Sequence, residues 1–208
     1  MILLDVKWIF FDVGSTLMDE TEAYDHRVRE MIAGTDITFS AFDSKRIELA
    51  KQGFDGNTEA INHFGLEKTP WHWEDEKPFE DAAETLEALV DRGYHLGIIA
   101  NQVPGTAQRL DAWGLLKYCD VVAASAELGV AKPDPLIFEK ARELAGCPPC
   151  DSVMVGDRLD NDIRPAKALG MQTVWIRKGL SQYQPVDLGK NVADWIINNL
   201  PDLKAIFE

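Results

Sequence analysis

Lys7-Trp8-Ile9-Phe10-Phe11-Asp12-Val13-Gly14-Ser15-Thr16-Leu17 reads as a buried strand running into a tight turn. An aspartate that closes so apolar a run is either a helix cap or a functional carboxylate. The small residues after it favour the second role. Gly14, Ser15 and Thr16 let backbone N–H groups turn toward an anion and form a nest for phosphate. Asp12 is therefore the first candidate site residue, with Ser15 and Thr16 as candidate phosphate contacts.

Similar units recur downstream. From residue 78 onward helix and strand alternate: helix 79–92, strand 94–101, helix 106–113, strand 119–124, helix 135–145, strand 152–156, helix 160–169, strand 172–176 and a short strand 193–197. His95-Leu96-Gly97-Ile98-Ile99-Ala100 has no polar face, the mark of a parallel sheet covered by helices on both sides. Between these parts the pattern is helical only, over 20–33, 41–54 and 57–64, punctuated by Gly34, Gly53, Gly56 and Gly65. The expected architecture is α/β, a doubly wound parallel-sheet core of residues 1–17 and 78–208. A small all-helical cap, residues 18–77, interrupts it. Ligands of such sheets sit at the carboxyl ends of the strands, where Asp12, Asn101, Ser125 and Asp157 fall.

Composition narrows the partners. A net charge of −14 argues against general binding to nucleic acid or anionic membrane, since both need a positive field. No apolar run approaches the ~18 residues that span a bilayer. Met1-Ile2-Leu3-Leu4-Asp5-Val6-Lys7 lacks a basic start and a small-residue cleavage site, so it is read as a first strand and not as a signal peptide. Three cysteines are too few for a disulfide framework, and a reducing cytoplasm is expected. Cys147 and Cys150 have the spacing of a metal or redox pair without a second pair, so a structural role is expected for both.

Two further stretches carry chemistry. Lys132-Pro133-Asp134-Pro135 is a stiff turn before a helix, with Pro135 suited to the first helical turn. It would hold Lys132 as a fixed positive charge at the ligand edge, as phosphoryl transfer needs. Gly156-Asp157-Arg158-Leu159-Asp160-Asn161-Asp162 gathers carboxylates that repel one another unless solvated or neutralised by a cation. Asp157, directly at a strand end, is the best ligand candidate, and with Asp12 could supply the carboxylate pair that Mg²⁺ favours. Asp160 could cap the next helix.

Phe-Phe-Asp-Val-Gly-Ser-Thr-Leu, Gly-Val-Ala-Lys-Pro-Asp-Pro-Leu-Ile-Phe and Val-Gly-Asp-Arg-Leu-Asp-Asn-Asp-Ile, in this order, resemble three of the four motifs of the haloacid dehalogenase-like hydrolases. The branch is the one with a helical cap inserted after the first motif on a Rossmann-like core. The resemblance implies a Mg²⁺-dependent phosphatase of a small phosphorylated metabolite, working through an aspartyl-phosphate as a monomer or homodimer. It implies Asp12 as nucleophile and Lys132 as phosphoryl and nucleophile ligand. It implies a metal held by Asp12, Asp157 and the carbonyl of Gly14, with Asp162 in support, and phosphate contacts from Asn101, Lys132, Ser15 and Thr16.

Two positions depart from that pattern. Gly14 stands where the family carries the acid that protonates the leaving group, and Ala100 stands in place of a Ser or Thr. Loss of a general acid costs about 10²–10⁴-fold. A lost charge-assisted hydrogen bond removes roughly 1.5–3 kcal/mol. Asp19, Glu20 and His72 are the candidate substitutes. The alternatives are a non-catalytic member that binds Mg²⁺ and a phosphorylated ligand or protein, or phosphonate or carbon–halogen hydrolysis at the same aspartate. Members with those chemistries carry Ala or Tyr at the position of Gly14, and this chain carries neither.

Overall fold

The computed structural model describes residues 6–190 and 192–208. The first-strand reading of Met1 to Lys7 lies outside them for residues 1–5, and the strand itself begins only at Trp8. Among the described residues there are eight strands: β1 (Trp8–Phe11), β2 (Met18–Asp19), β3 (Lys77–Pro78), β4 (His95–Ala100), β5 (Val121–Ala124), β6 (Ser152–Gly156), β7 (Gln172–Ile176) and β8 (Trp195–Ile197). Six form one sheet in the order β5-β4-β1-β6-β7-β8, and every neighbour pair in it is parallel.

β1 shows why the sheet is covered twice. Alternate side chains of a strand point to opposite faces. Ile9 and Phe11 enter a cluster with Leu86 and Leu89 of α4 (Ala82–Asp91) and the carboxyl-terminal Leu203 and Phe207. Phe10 enters the opposite cluster with Ile137, Phe138 and Ala141 of α7 (Pro135–Ala145). All three β1 residues are fully buried, and a large apolar side chain buried this way contributes about 1.5–3 kcal/mol. Gly97 on β4 makes room for the Phe10 ring, which a Cβ there would meet at 2.6 Å.

Between β2 and β3 lie α1 (Thr21–Ile32), α2 (Phe39–Lys51) and α3 (Gly56–Phe64). They close around their own apolar cluster of Val28, Met31, Phe42, Ala60 and Ile61. α2 starts two residues earlier than the apolar spacing suggested, because the Thr38 side chain caps it by accepting from Ala41 N at 3.2 Å. Asp55 caps α3 in the same way through Thr58 N.

The expected all-helical insert is corrected at both edges. Met18–Asp19 pairs antiparallel with Lys77–Pro78, so a two-residue ribbon ties the ends together. Met18 itself is fully buried in the main core cluster. The ribbon forms because the turn after Asp12 folds back: the N–H groups of Leu17 and Met18 both donate to Val13 O, at 2.9 and 3.0 Å.

α7 begins as the double proline implied. Pro135 occupies its first turn, Asp134 accepts from Leu136 N at 2.9 Å, and Gly146 closes it in the left-handed region at φ 63°. The expected helix 160–169 is instead a wide turn over Leu159–Ile163 followed by α8 (Arg164–Ala168). Asp160 does not cap it. Its carboxylate pairs with Arg158 at 2.7 Å.

Candidate active site

Parallel pairing brings the functional residues together. Phe11 lies opposite Val155, and Asp12 N donates to Val155 O at 2.9 Å. The carboxyl ends of β1 and β6 therefore stand side by side, with Asp12 and Asp157 at their tips. β4 flanks β1 on its other side and ends at Ala100, directly before Asn101. These ends open into a cleft of about 1030 Å³ whose far wall includes Phe39 and Arg46 of α2. Asp12, Asn101, Lys132, Asp157 and Asp162 all line it.

Lys132 is the hub. Its Nζ donates to Asp12 Oδ1 and to Asp162 Oδ1, both at 2.6 Å. Asp162 Oδ2 accepts from Arg158 N at 2.9 Å. Burial alone would lower the Lys132 pKa, but the two carboxylates outweigh it and the pKa is raised. Lys132 therefore stays an ammonium. Asn101 holds the loop in place, its amide accepting from Lys132 N at 2.7 Å and donating to Lys132 O at 2.8 Å. The amide thereby braces the Lys132 main chain while its residue still lines the cleft.

Three carboxylates face this single ammonium. Oxygens of Asp12, Asp157 and Asp162 all lie within 4.8 Å of one another. Burial and then the neighbouring carboxylates of Asp162 and Asp12 push Asp157 well above the usual carboxylate range. Burial raises Asp162 as well, to about 6, against the opposing pull of Lys132. A buried group with that excess of negative charge is the environment a divalent cation relieves, and an all-oxygen donor set suits Mg²⁺. The residues fit such an ion.

Thr16 departs from its expected place as a phosphate contact. Its side chain is fully buried and its N–H donates to Val13 O at 3.3 Å, so it does not face the cleft. Ser15 does face it, at φ 54°, with its hydroxyl donating to Glu20 Oε2 at 3.0 Å. Glu20 lies beside Gly14, and burial together with the Asp12 carboxylate raises its pKa to about 8. The Tyr24 pKa is raised for the same reasons, burial first and the Glu20 charge next.

The other candidate substitutes fare differently. Asp19 lines the cleft, but its carboxylate accepts from Thr21 N at 2.9 Å at the start of α1. His72 belongs to a separate group with His26, Glu30 and Asp75. His72 Nε2 meets Glu30 at 2.9 Å and His26 Nδ1 meets Asp75 at 2.7 Å. The two imidazoles stack 9° from parallel with centroids 3.8 Å apart. The group is a cluster of imidazole–carboxylate contacts between α1 and residues 72–75, away from the cleft carboxylates. Cys119, Cys147 and Cys150 are free thiols, Cys150 exposed and Cys147 half-buried against the α7 cluster.

Arg158 and Lys178 are among the cleft residues that sequence reasoning missed. Arg158, seen only as part of an acidic run, reaches across to pair with Asp55 at 3.2 Å. Lys178, in the loop after β7, lies 3.4 Å from the Phe79 ring centroid. Arg158 had a visible signal, as the lone cation within that acidic run. Lys178 had none.

The chain is similar to known proteins. The chain is 31% identical to a glyceraldehyde 3-phosphate phosphatase of Pyrococcus furiosus, over 98% of this chain and 93% of the relative. It is 36% identical to a phosphoserine phosphatase of Thermus thermophilus over 51% of this chain and 43% of that one. The crystal structure of a haloacid dehalogenase phosphatase from Thermococcus onnurineus superposes with a TM-score of 0.66, at 29% identity and 97% coverage of both chains. The family model for haloacid dehalogenase-like hydrolases matches residues 6–170, a span that takes in Asp12, Lys132, Asp157 and Asp162, and the chain belongs to that family.

Proposed function

We propose that this phosphatase hydrolyses a small phosphomonoester through an aspartyl-phosphate on Asp12, with Mg²⁺ held by Asp12 and Asp157, the carbonyl of Gly14, and Asp162 in support. One observation carries the reading: Lys132 is fixed between Asp12 and Asp162 at the cleft floor, 2.6 Å from each. That geometry holds Asp12 oriented as a nucleophile, and places a positive charge where equatorial phosphoryl charge develops. Bound Mg²⁺ would supply the remaining charge neutralisation. Residues 18–77 act as a cap over the cleft, joined to the core by the β2–β3 ribbon. Ser15 faces the cleft and would contact the phosphoryl group.

The names of the relatives suggest the substrate class. Glyceraldehyde 3-phosphate and phosphoserine are short phosphomonoesters. A panel of such esters, sugar phosphates, nucleotides and a phosphonate, assayed with Mg²⁺, tests the reading. Turnover of at least one phosphomonoester is expected, and Asp12→Asn should abolish it. Gly14 and Ala100 favour a purely binding protein. That alternative wins if no ester turns over while Mg²⁺ and inorganic phosphate still bind.

A further inference from the structure

We infer that Glu20 is the proton donor and acceptor of the reaction, standing in for the acid absent at position 14. The inference rests on the phosphatase reading above. It concerns a residue six positions along the chain from Gly14, which only the fold brings back.

Three observations converge on it. The first is space. A Cβ built on Gly14 would meet Glu20 Oε1 at 2.4 Å, Cδ at 2.7 Å and Oε2 at 2.8 Å. All three carboxyl atoms of Glu20 occupy the volume into which any side chain of residue 14 would grow. The second is orientation. Glu20 is the N-cap residue of α1, a position whose side chain normally accepts from the helix N–H groups, yet it makes no such bond. Asp19 takes that duty through Thr21 N. The Glu20 carboxyl is turned to the cleft and fixed there by the Ser15 hydroxyl at 3.0 Å. The third is the backbone that delivers it. Val13 O collects the N–H groups of Thr16, Leu17 and Met18, and Ser15 adopts φ 54°, so the chain doubles back. Gly14 then bridges to Met18, two residues before Glu20.

The chemistry balances with this one group. In the first half, an Asp12 carboxylate oxygen bonds to phosphorus as the bond to the ester oxygen breaks. That oxygen leaves with the electron pair and takes the carboxyl proton of Glu20, giving the free alcohol. In the second half, a water oxygen bonds to phosphorus while the Glu20 carboxylate removes one water proton. The bond between phosphorus and Asp12 breaks, its electron pair returning to the carboxylate. Inorganic phosphate departs and Glu20 is again protonated. A residue that acts at both halves must reach the same side of Asp12 twice, which a carboxyl seated over Gly14 does.

The test compares wild type, Glu20→Gln, Gly14→Asp and the double variant Gly14→Asp/Glu20→Ala on an alkyl phosphate and on 4-nitrophenyl phosphate. Glu20→Gln is expected to lower kcat on the alkyl ester about 10²–10⁴-fold, with a smaller loss on 4-nitrophenyl phosphate, whose leaving group needs no proton. Aspartyl-phosphate should accumulate in that variant, because its hydrolysis lacks a base. Gly14→Asp alone forces two carboxyl groups into one volume and should lower turnover. The double variant vacates that volume and should regain turnover over Glu20→Gln, which excludes a loss through misfolding. Glu20→Gln within about threefold of wild type on the alkyl ester overturns the assignment. An equal loss on both esters with no trapped intermediate overturns it too. If wild type and Asp12→Asn are equally inactive on every ester, the phosphatase reading itself fails and takes this one with it.

Discussion

Lys132 is almost sealed from solvent, and its side chain is 2% exposed between carboxylates 13% and 1% exposed. Removing one partner of a buried charge pair leaves the others uncompensated, typically at about 3–5 kcal/mol. Lys132→Met should therefore lower folding stability by about that amount in chelator, as read by urea unfolding, as well as abolishing turnover. A variant that loses activity with unchanged stability would show the ammonium to be dispensable for the fold. The placement of Lys132 at the strand ends was legible from its stiff proline turn. That of Glu20 was not, because Asp19, Glu20 and His72 are equally acceptable proton carriers in a linear chain. The backbone hydrogen bonds to Val13 O single out Glu20 from the three.

Among elements, the packing of α3 on α2 depends on a missing side chain. A Cβ on Gly56 would lie 2.1 Å from Arg46 O and 3.2 Å from Leu180 Cδ1. Arg46 O is main chain and cannot rotate away, so Gly56→Ala must push α3 off its neighbours. Overpacking of this kind costs about 1–3 kcal/mol. Urea unfolding should report that loss. KM should rise more than kcat falls, since α2 walls the cleft while the nucleophile sits on the sheet. The helices themselves were readable from apolar spacing, and their starts were not. Thr38 caps α2 two residues ahead of the expected boundary because a cap depends on one hydroxyl and not on periodicity. The β2–β3 ribbon was invisible for a similar reason: two residues are too few to show an alternating pattern.

At the scale of the molecule, the site is a set of like charges that folding brings together. With Asp12, Asp157 and Asp162 set against one ammonium, a cation that binds the native state alone must stabilise it. Mg²⁺ at about a hundred times its dissociation constant should add about 2.7 kcal/mol, and Asp157→Asn should remove most of that gain. Thermal unfolding with and without chelator measures both. No shift in wild type would show that Lys132 alone suffices to hold the carboxylates.

What the sequence determined by itself is periodic or local: two-sided apolar strands, helical spacing, a proline-stiffened lysine, and carboxylates at strand ends. These follow from side-chain period and from turn chemistry, both short-range properties. They sufficed for a parallel α/β core and for Asp12, Lys132 and Asp157. Only the tertiary structure decided which groups face each other across long loops. It withdrew Thr16 from the cleft into buried surroundings and set Asn101 as a brace for Lys132. It also seated Glu20 over Gly14. The physical reason is common to all three. A polar side chain's role depends on which hydrogen-bond partner comes within about 3 Å of it, and that distance depends on the path of the whole chain.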